Sequence, residues 1–417
     1  MQPRRKTKGS QPAFTIRKIQ FYLILLSLPL LMAFSLFSKR QGVVSTTEGS
    51  TTNLANSAIL ESRLRGALWG FFAGDALAMP THWYYGGSAQ IQRDYGRNGI
   101  TGYSKPVPTL AGSILNKSNI NGGGRGSFSK TKESVSIIGD IINHGKREYW
   151  DPSKQVHYHA TLQRGENTLE AQLARVLMKS MVENNGEFIA EHFRNAYIKF
   201  MTTPDSHHDT YASTCHRMFF ANMILKKKDP KDCPDNDHHN VDTIDGLVLP
   251  TISALGYASR GNDDKTVANA AASTASATRS STVLENASRA WSSLVRKAIQ
   301  QESPLSLGNL ADCARSLGLR QVPSANRPDT MTACYLDQSL PSALDMIAKY
   351  TQTSSCWDGL LANANNGGEN VHRGSILGAI LGAQTGYENL PPQLKEGLYD
   401  QAALEKEIDA FVKSVLR

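Results

Sequence analysis

The sequence predicts an all-α domain behind a short N-terminal membrane or export segment, and three observations carry that reading. From Ser62 to the C-terminus, apolar residues recur at i, i+3/i+4, i+7, the spacing of amphipathic helices. Period-two alternation, the mark of a half-buried strand, is hard to find. Near the start stands a 17-residue run without a charge. Apolar residues make up 40% and charged residues 20% of the 417, which is a globular composition with a solid core.

The first segment, 1–20, is a basic tail. Residues 1–40 hold eight basic residues and no acid, so the rest of the chain carries 37 of each sign and is neutral. A neutral body lacks the basic face that nucleic acid requires, and no nucleic-acid partner is expected. The run Phe21–Phe37 follows, at the lower edge of the length that spans a bilayer. Six of the eight basic residues precede it, which places the N-terminus in the cytosol and the body on the lumenal or extracellular side. A signal anchor is the first reading. A cleaved signal peptide giving a secreted chain, and an organelle-import signal, are the alternatives. Residues 38–58, rich in Ser and Thr, read as a linker. The remaining 59–417 reads as one domain, expected as a monomer. Two sequons, at Asn116 and Asn286, are compatible with lumenal exposure, and five cysteines without a CxxC define no disulfide framework.

Within the body the helical stripes come in order. They are Leu64–Leu68–Phe71–Phe72, then Leu169–Leu173–Val176–Leu177–Met181, then Ile189–Phe193–Tyr197–Phe200. Leu284–Ala287–Trp291–Leu294–Ala298 follows, and Ile408–Phe411–Val412–Val415 closes the chain. Gly66, Gly70 and Gly74 are spaced by four, and so are Gly374, Gly378 and Gly382. Glycines in such register bare one face of a helix, so the sequence predicts two central helices in close backbone contact. Residues 104–133, with Gly122, Gly123, Gly124 and Gly126, read as a long irregular loop without a P-loop pattern.

Three segments carry chemistry. Gly74-Asp75-Ala76-Leu77-Ala78-Met79-Pro80-Thr81-His82 ends the first glycine-spaced helix. Arg164-Gly165-Glu166-Asn167-Thr168 and Gly367-Gly368-Glu369-Asn370-Val371-His372 each open a helix. Acids are favoured at helix starts, so two such starts can converge Glu166 and Glu369 on one point. Equally, Glu166 and Asn167 are ordinary cap and first-turn residues. The run His82-Trp83-Tyr84-Tyr85 suits either a pocket for a heteroaromatic ring or a core.

In order and spacing these segments resemble the ADP-ribosylglycohydrolase family, with its GDALGxPxE, T-D-D-T and GGDxD[ST]xG signatures, over residues 60–415. His239-Asn240-Val241-Asp242 stands near the place of the family's weaker His-x-Asp-Pro segment. The resemblance implies an orthogonal all-α helix bundle with a binuclear magnesium site among helix starts, and ADP-ribosylated protein or an ADP-ribose-containing small molecule as partner. At the family's ligand positions this chain has Gly165, Glu166, Asn167, Glu369, Val371 and His372. Glu166, Asn167, Glu369 and His372 are therefore the expected metal ligands, for one magnesium ion, two, a softer ion or none. The resemblance implies Glu166 or His82 as the base, with Asp75 orienting the first motif. Trp83, Tyr84, His239, Asp242 and Asn370 are expected at the ligand. The implied activity is hydrolysis of an N- or O-glycosidic bond of an ADP-ribosyl group. A non-catalytic binding or lens-crystallin-like member is the alternative. A third idea is a zinc hydrolase on the His/Cys/Asp-rich stretch from His207 to Asp242, although no pair there has the usual ligand spacing.

Overall fold

Fourteen α-helices and no strand make up the computed structural model, which describes residues 48–124, 135–300, 303–352 and 355–417; the absence of strands refers to those residues. The expected membrane segment, Phe21–Phe37, lies outside them. Among the described residues no helix is long and apolar enough to cross a membrane. Residues Ser50–Arg417 form one unit.

The helices are α1 (Glu48–Ala78), α2 (Gly87–Tyr95), α3 (Leu169–Glu183), α4 (Ala190–Thr202), α5 (Thr214–Ile224), α6 (Val248–Ser259) and α7 (Asp264–Ser276). They continue with α8 (Thr282–Gln300), α9 (Leu307–Ser316), α10 (Leu336–Gln352), α11 (Cys356–Ala364), α12 (Val371–Thr385), α13 (Pro392–Glu396) and α14 (Gln401–Val415). The predicted stripes sit on α1, α3, α4, α8 and α14, with Leu173, Phe193, Trp291 and Phe411 fully buried. All twelve residues of α6 are buried, so it runs through the core, and α7 and α8 pack on it. Trp291 Nε1 donates to Thr251 Oγ1 at 2.9 Å, which satisfies the polar ends of both side chains between α8 and α6.

The two glycine-spaced helices are α1 and α12, and they run antiparallel. A methyl group built on Gly66, Gly70 or Gly74 would collide with the carbonyl oxygen of Gly382, Gly378 or Gly374 respectively. The expected bare faces therefore meet each other, and backbone lies against backbone along three turns.

Between α2 and α3 the described residues, 96–124 and 135–168, hold no α-helix. Pro106, Pro108 and Pro152 and a scatter of glycines explain this, because they remove donors and favour turns. Of the expected loop at 104–133, residues 125–133 lie outside the described residues; the non-α-helical run from 135 to 168 delivers Tyr158 and His159 to the site.

Candidate active site

Helix α1 ends in a short turn, Met79–Thr81, that carries the His82–Tyr85 run. Thr81 Oγ1 donates to Ala364 O at 2.6 Å, and Asn370 Nδ2 donates to Thr81 Oγ1 at 2.8 Å. Trp83 N donates to Gly368 O (2.7 Å) and Gly368 N to Tyr84 O (3.2 Å). Gly367 and Gly368 both have positive φ, and a side chain on either would strike Tyr84 O or Thr332 O. Only glycine lets the loop slip between those segments and present Glu369 at the start of α12. At the start of α3, Asp75 accepts from Thr168 N (2.9 Å) and Thr168 Oγ1 (2.7 Å), tying α1 to α3. Burial pushes the Asp75 carboxyl up to about 6, against the pull of those two bonds.

These elements enclose a cavity of about 170 Å³. Its rim carries Tyr85, His239 and Tyr335, and its walls carry Trp83, Tyr158 and Tyr211. Its buried ionisable groups are Asp245, Arg217, Glu369 and His372. Trp83 has φ 56°, which is uncommon for a bulky residue and marks local strain. It is held by stacking on His82 (4.1 Å between ring centroids) and by edge contacts to Tyr158 (4.4 Å) and Tyr211 (5.0 Å).

A chain of buried titratable groups reaches the cavity. Asp209 Oδ1 meets His159 Nδ1 at 2.8 Å, and His159 Nε2 meets His82 Nδ1 at 2.6 Å. His82 Nε2 meets Glu369 Oε2 at 3.2 Å, and Glu369 Oε1 meets His372 Nδ1 at 2.6 Å. Burial pushes His82 down to about 4, outweighing the attraction of Glu369, so its ring is neutral near pH 7. Burial would also raise Glu369, but His372 and His82 hold it well below the usual carboxylate range. His372 shows the reverse: burial opposes its charge, yet Glu369 raises it to about 9. Glu369 and His372 therefore face the cavity as an ion pair, and His372 Nε2 has no protein partner among the described residues.

A second buried network lies behind the cavity. Arg279 bridges Asp245 (2.8 Å) and Glu170 (3.6 Å). Glu170 accepts from His216 Nε2 at 2.9 Å and from Ser213 Oγ at 2.6 Å. Despite burial, the Glu170 and Cys215 side chains raise His216 to about 10. Arg217, by contrast, is buried with no ion pair to a carboxylate among the described residues. It lies over Trp150 at 5.2 Å, donates to Asn119 O and to Thr214 Oγ1 (2.8 Å), and leaves Nε unpartnered.

Several expected residues lie elsewhere. Glu166 turns to His208 Nδ1 (2.6 Å) and Gln163 N (2.7 Å), and Asn167 donates to Phe72 O (2.8 Å). Neither lines the cavity, and Glu166 shares no three-ligand group with Glu369 among the described residues. His82 is fully buried, with both ring nitrogens engaged behind the wall. Tyr84 packs with Tyr95 and His157 rather than on the cavity. Asn370 pins Thr81, and the Asp242 carboxylate accepts from Ser281 Oγ; the wall takes Asp245, three residues on. Trp83, His239, Glu369 and His372 do reach it. In the His207–Asp242 stretch, among the described residues, Cys215 and His216 form a three-ligand group with Glu170. Sequence reasoning missed His159, Asp245 and Arg279, and took Asp209 only as a member of the zinc-like stretch from His207 to Asp242; the His157-Tyr158-His159 alternation was the one local signal.

The chain belongs to the ADP-ribosylglycohydrolase family, whose model matches residues 56–416. Membership places it in that hydrolase superfamily and implies ADP-ribosyl-containing substrates. A solved structure of an ADP-ribosylglycohydrolase-related protein complex shares the fold. It aligns with a TM-score of 0.51 at 16% identity, over 85% of this chain and 99% of that one. No curated protein matches the chain by sequence.

The family generally binds divalent metals, and the donor set here tests that directly. Magnesium takes six oxygen ligands in near-octahedral geometry. At the cavity wall, among the described residues, the ligand atoms of His82, Glu369 and His372 lie within 4.8 Å of one another, with a single carboxylate. Gly165, at the first ligand position, has φ +74° and abuts Gly397 O, so no side chain fits there. Val371 is apolar. These residues do not fit magnesium. Zinc suits imidazole and carboxylate donors better, but binding it would break both N–H bonds that hold Glu369.

Proposed function

We propose that the chain hydrolyses an N- or O-glycosidic bond at ribose C1 of an ADP-ribosyl compound, using imidazole and carboxylate groups where relatives use metal. The observation that carries this reading is the buried Glu369–His372 ion pair in the wall of an aromatic-lined cavity. His372, charged near pH 7, gives its Nε2 proton to the departing nitrogen or oxygen as the C1 bond breaks. Asp245, fixed by Arg279 and Thr243, takes a proton from the attacking water as the new C1–O bond forms. Such proton transfers are typically worth about 10²–10⁴-fold each. Glu369 keeps His372 charged and faces the positive charge that grows at C1. Arg217, a buried cation whose Nε has no partner among the described residues, matches the diphosphate, and Trp83, Tyr158 and Tyr211 form an apolar wall for a ring. The N-terminal anchor belongs to the same proposal: the domain works on the lumenal or extracellular side.

A second reading, a binding module without turnover, is favoured by Gly165, Val371 and the occlusion of His82. Two measurements separate them. ADP-ribose released from ADP-ribosylated protein, lost in Asp245→Asn, supports the hydrolase. Calorimetric binding of ADP-ribose with no release from any ADP-ribosyl compound supports the module and overturns the hydrolase.

A further inference from the structure

We infer that Asn286 carries an N-linked glycan and that Asn116, at the other sequon, stays bare in the folded protein. The inference rests on the lumenal or extracellular placement of the body, because sugar is transferred to asparagine on that side of a membrane.

The sequence offers Asn116-Lys117-Ser118 and Asn286-Ala287-Ser288 on equal terms, and the fold separates them. Asn116 stands in a short turn, Leu115–Lys117. Its Nδ2 has two hydrogens and uses both, donating to Pro152 O and to Lys154 O at 2.8 Å each. Its Oδ1 is buried without a partner among the described residues. A sugar on Nδ2 replaces one of those hydrogens, so one bond is lost and a carbonyl faces the sugar ring instead. Asn286 has no such ties. It lies in the second turn of α8, exposed, and its amide has no hydrogen-bond partner among the described residues. Val283 and Arg289, three residues before and after it, are exposed on the same face, whereas Leu284, Ala287 and Ser288 face inward. Helix side chains lean toward the N-terminus, so a glycan rooted at Asn286 lies over Val283, an apolar side chain that is 54% exposed. Asn286 takes no part in the cavity wall, so the glycan leaves the cavity open.

The structure also orders the events. Transfer forms a bond between Asn286 Nδ2 and C1 of the first sugar of a lipid-diphosphate-linked oligosaccharide. The C1–O bond to the diphosphate breaks, the lipid diphosphate leaves with that electron pair, and Nδ2 gives up one proton. The sequon includes the hydroxyl of Ser288. In the folded chain that hydroxyl is buried and donates to Leu284 O at 2.8 Å, out of reach of a transferase. Transfer therefore precedes the packing of α8 on α6 and α7, while the chain is entering the lumen. At that stage Asn116 is open too, since its carbonyl partners lie 36 and 38 residues further on. Chains modified there cannot close the turn, and they drop out of the folded fraction.

The test expresses the full chain, N-terminal segment included, in eukaryotic cells. Sealed microsomes are treated with protease, and the folded protein with peptide N-glycosidase. The body is expected to be protected from protease. The glycosidase is expected to lower the mass of the wild type and of Asn116→Gln by one glycan each, and to leave Asn286→Gln unchanged. That enzyme leaves aspartate where it frees an asparagine, so peptide mapping of the wild type identifies the site even where a variant fails to fold. A protected body with no glycan, or with its glycan on Asn116, overturns the inference and leaves the placement of the body standing. A body that protease cuts from outside the microsome overturns the placement and the inference with it. A folded, bare chain that takes up a glycan at Asn286 when given transferase and lipid-linked donor overturns the order of events.

Discussion

Glu369→Gln is the most informative single perturbation of the wall, since it keeps the side-chain shape and removes the charge. Two donors now converge on Glu369, His372 Nδ1 at 2.6 Å and His82 Nε2 at 3.2 Å. An amide can accept one of them; its NH₂ must then face the other N–H in a space without water. His372 loses the anion that raises it from 6.5 to about 9, a displacement worth about 3 kcal/mol. Mutational breaking of buried ion pairs points to the same scale, about 3–5 kcal/mol. Denaturant unfolding at pH 7 is expected to show a loss of about 3 kcal/mol, and NMR titration a His372 at or below its ordinary value. If the chain turns over ADP-ribosyl substrate, kcat is expected to fall about 10²–10⁴-fold, because the acid is no longer charged. A variant as stable and as active as the wild type, with His372 still titrating near 9, refutes the ion-pair reasoning.

Three further outcomes are expected. Gly378→Ala places a methyl group in the carbonyl of Gly70 and lowers stability by about 1–3 kcal/mol or more by chemical denaturation, and a loss below about 0.5 kcal/mol contradicts the seam. His372 and His216 bind their protons more tightly folded than unfolded, at about 9 and about 10, so their contribution is full below 6.5 and drains as pH rises through those values. Tm therefore falls between pH 7 and 10, and a flat profile counts against both pairs. Arg217→Ala weakens ADP-ribose binding by roughly 10–100-fold in calorimetry, the scale of a charge-assisted bond, and unchanged affinity removes Arg217 from the ligand site.

The framework was legible because it is written in local periods. The two glycine triplets announced α1 and α12 and their contact, and the stripe from Leu284 to Ala298 announced α8. The site was less legible because its side chains meet across long separations. His159 and Asp209 are fifty residues apart in chain segments without period, and nothing local pairs them. Asp242 was the expected cleft acid, but it goes to Ser281, and Asp245, in the turn at residues 244–247, lines the cavity and pairs with Arg279. Glu166 stands at a helix start as expected, but His208, from a separate loop, draws its carboxylate away. The loss of a ligand at Gly165 was visible, whereas its cause, the carbonyl of Gly397, comes from a segment 232 positions later.

The central claim is a family hydrolase whose histidine–carboxylate wall works without a divalent ion. The direct test is the initial rate of ADP-ribose release by the full chain from ADP-ribosylated protein, measured in excess chelator and again with magnesium or zinc restored. The account predicts the same turnover in all three conditions. Release that appears only when an ion is added contradicts it.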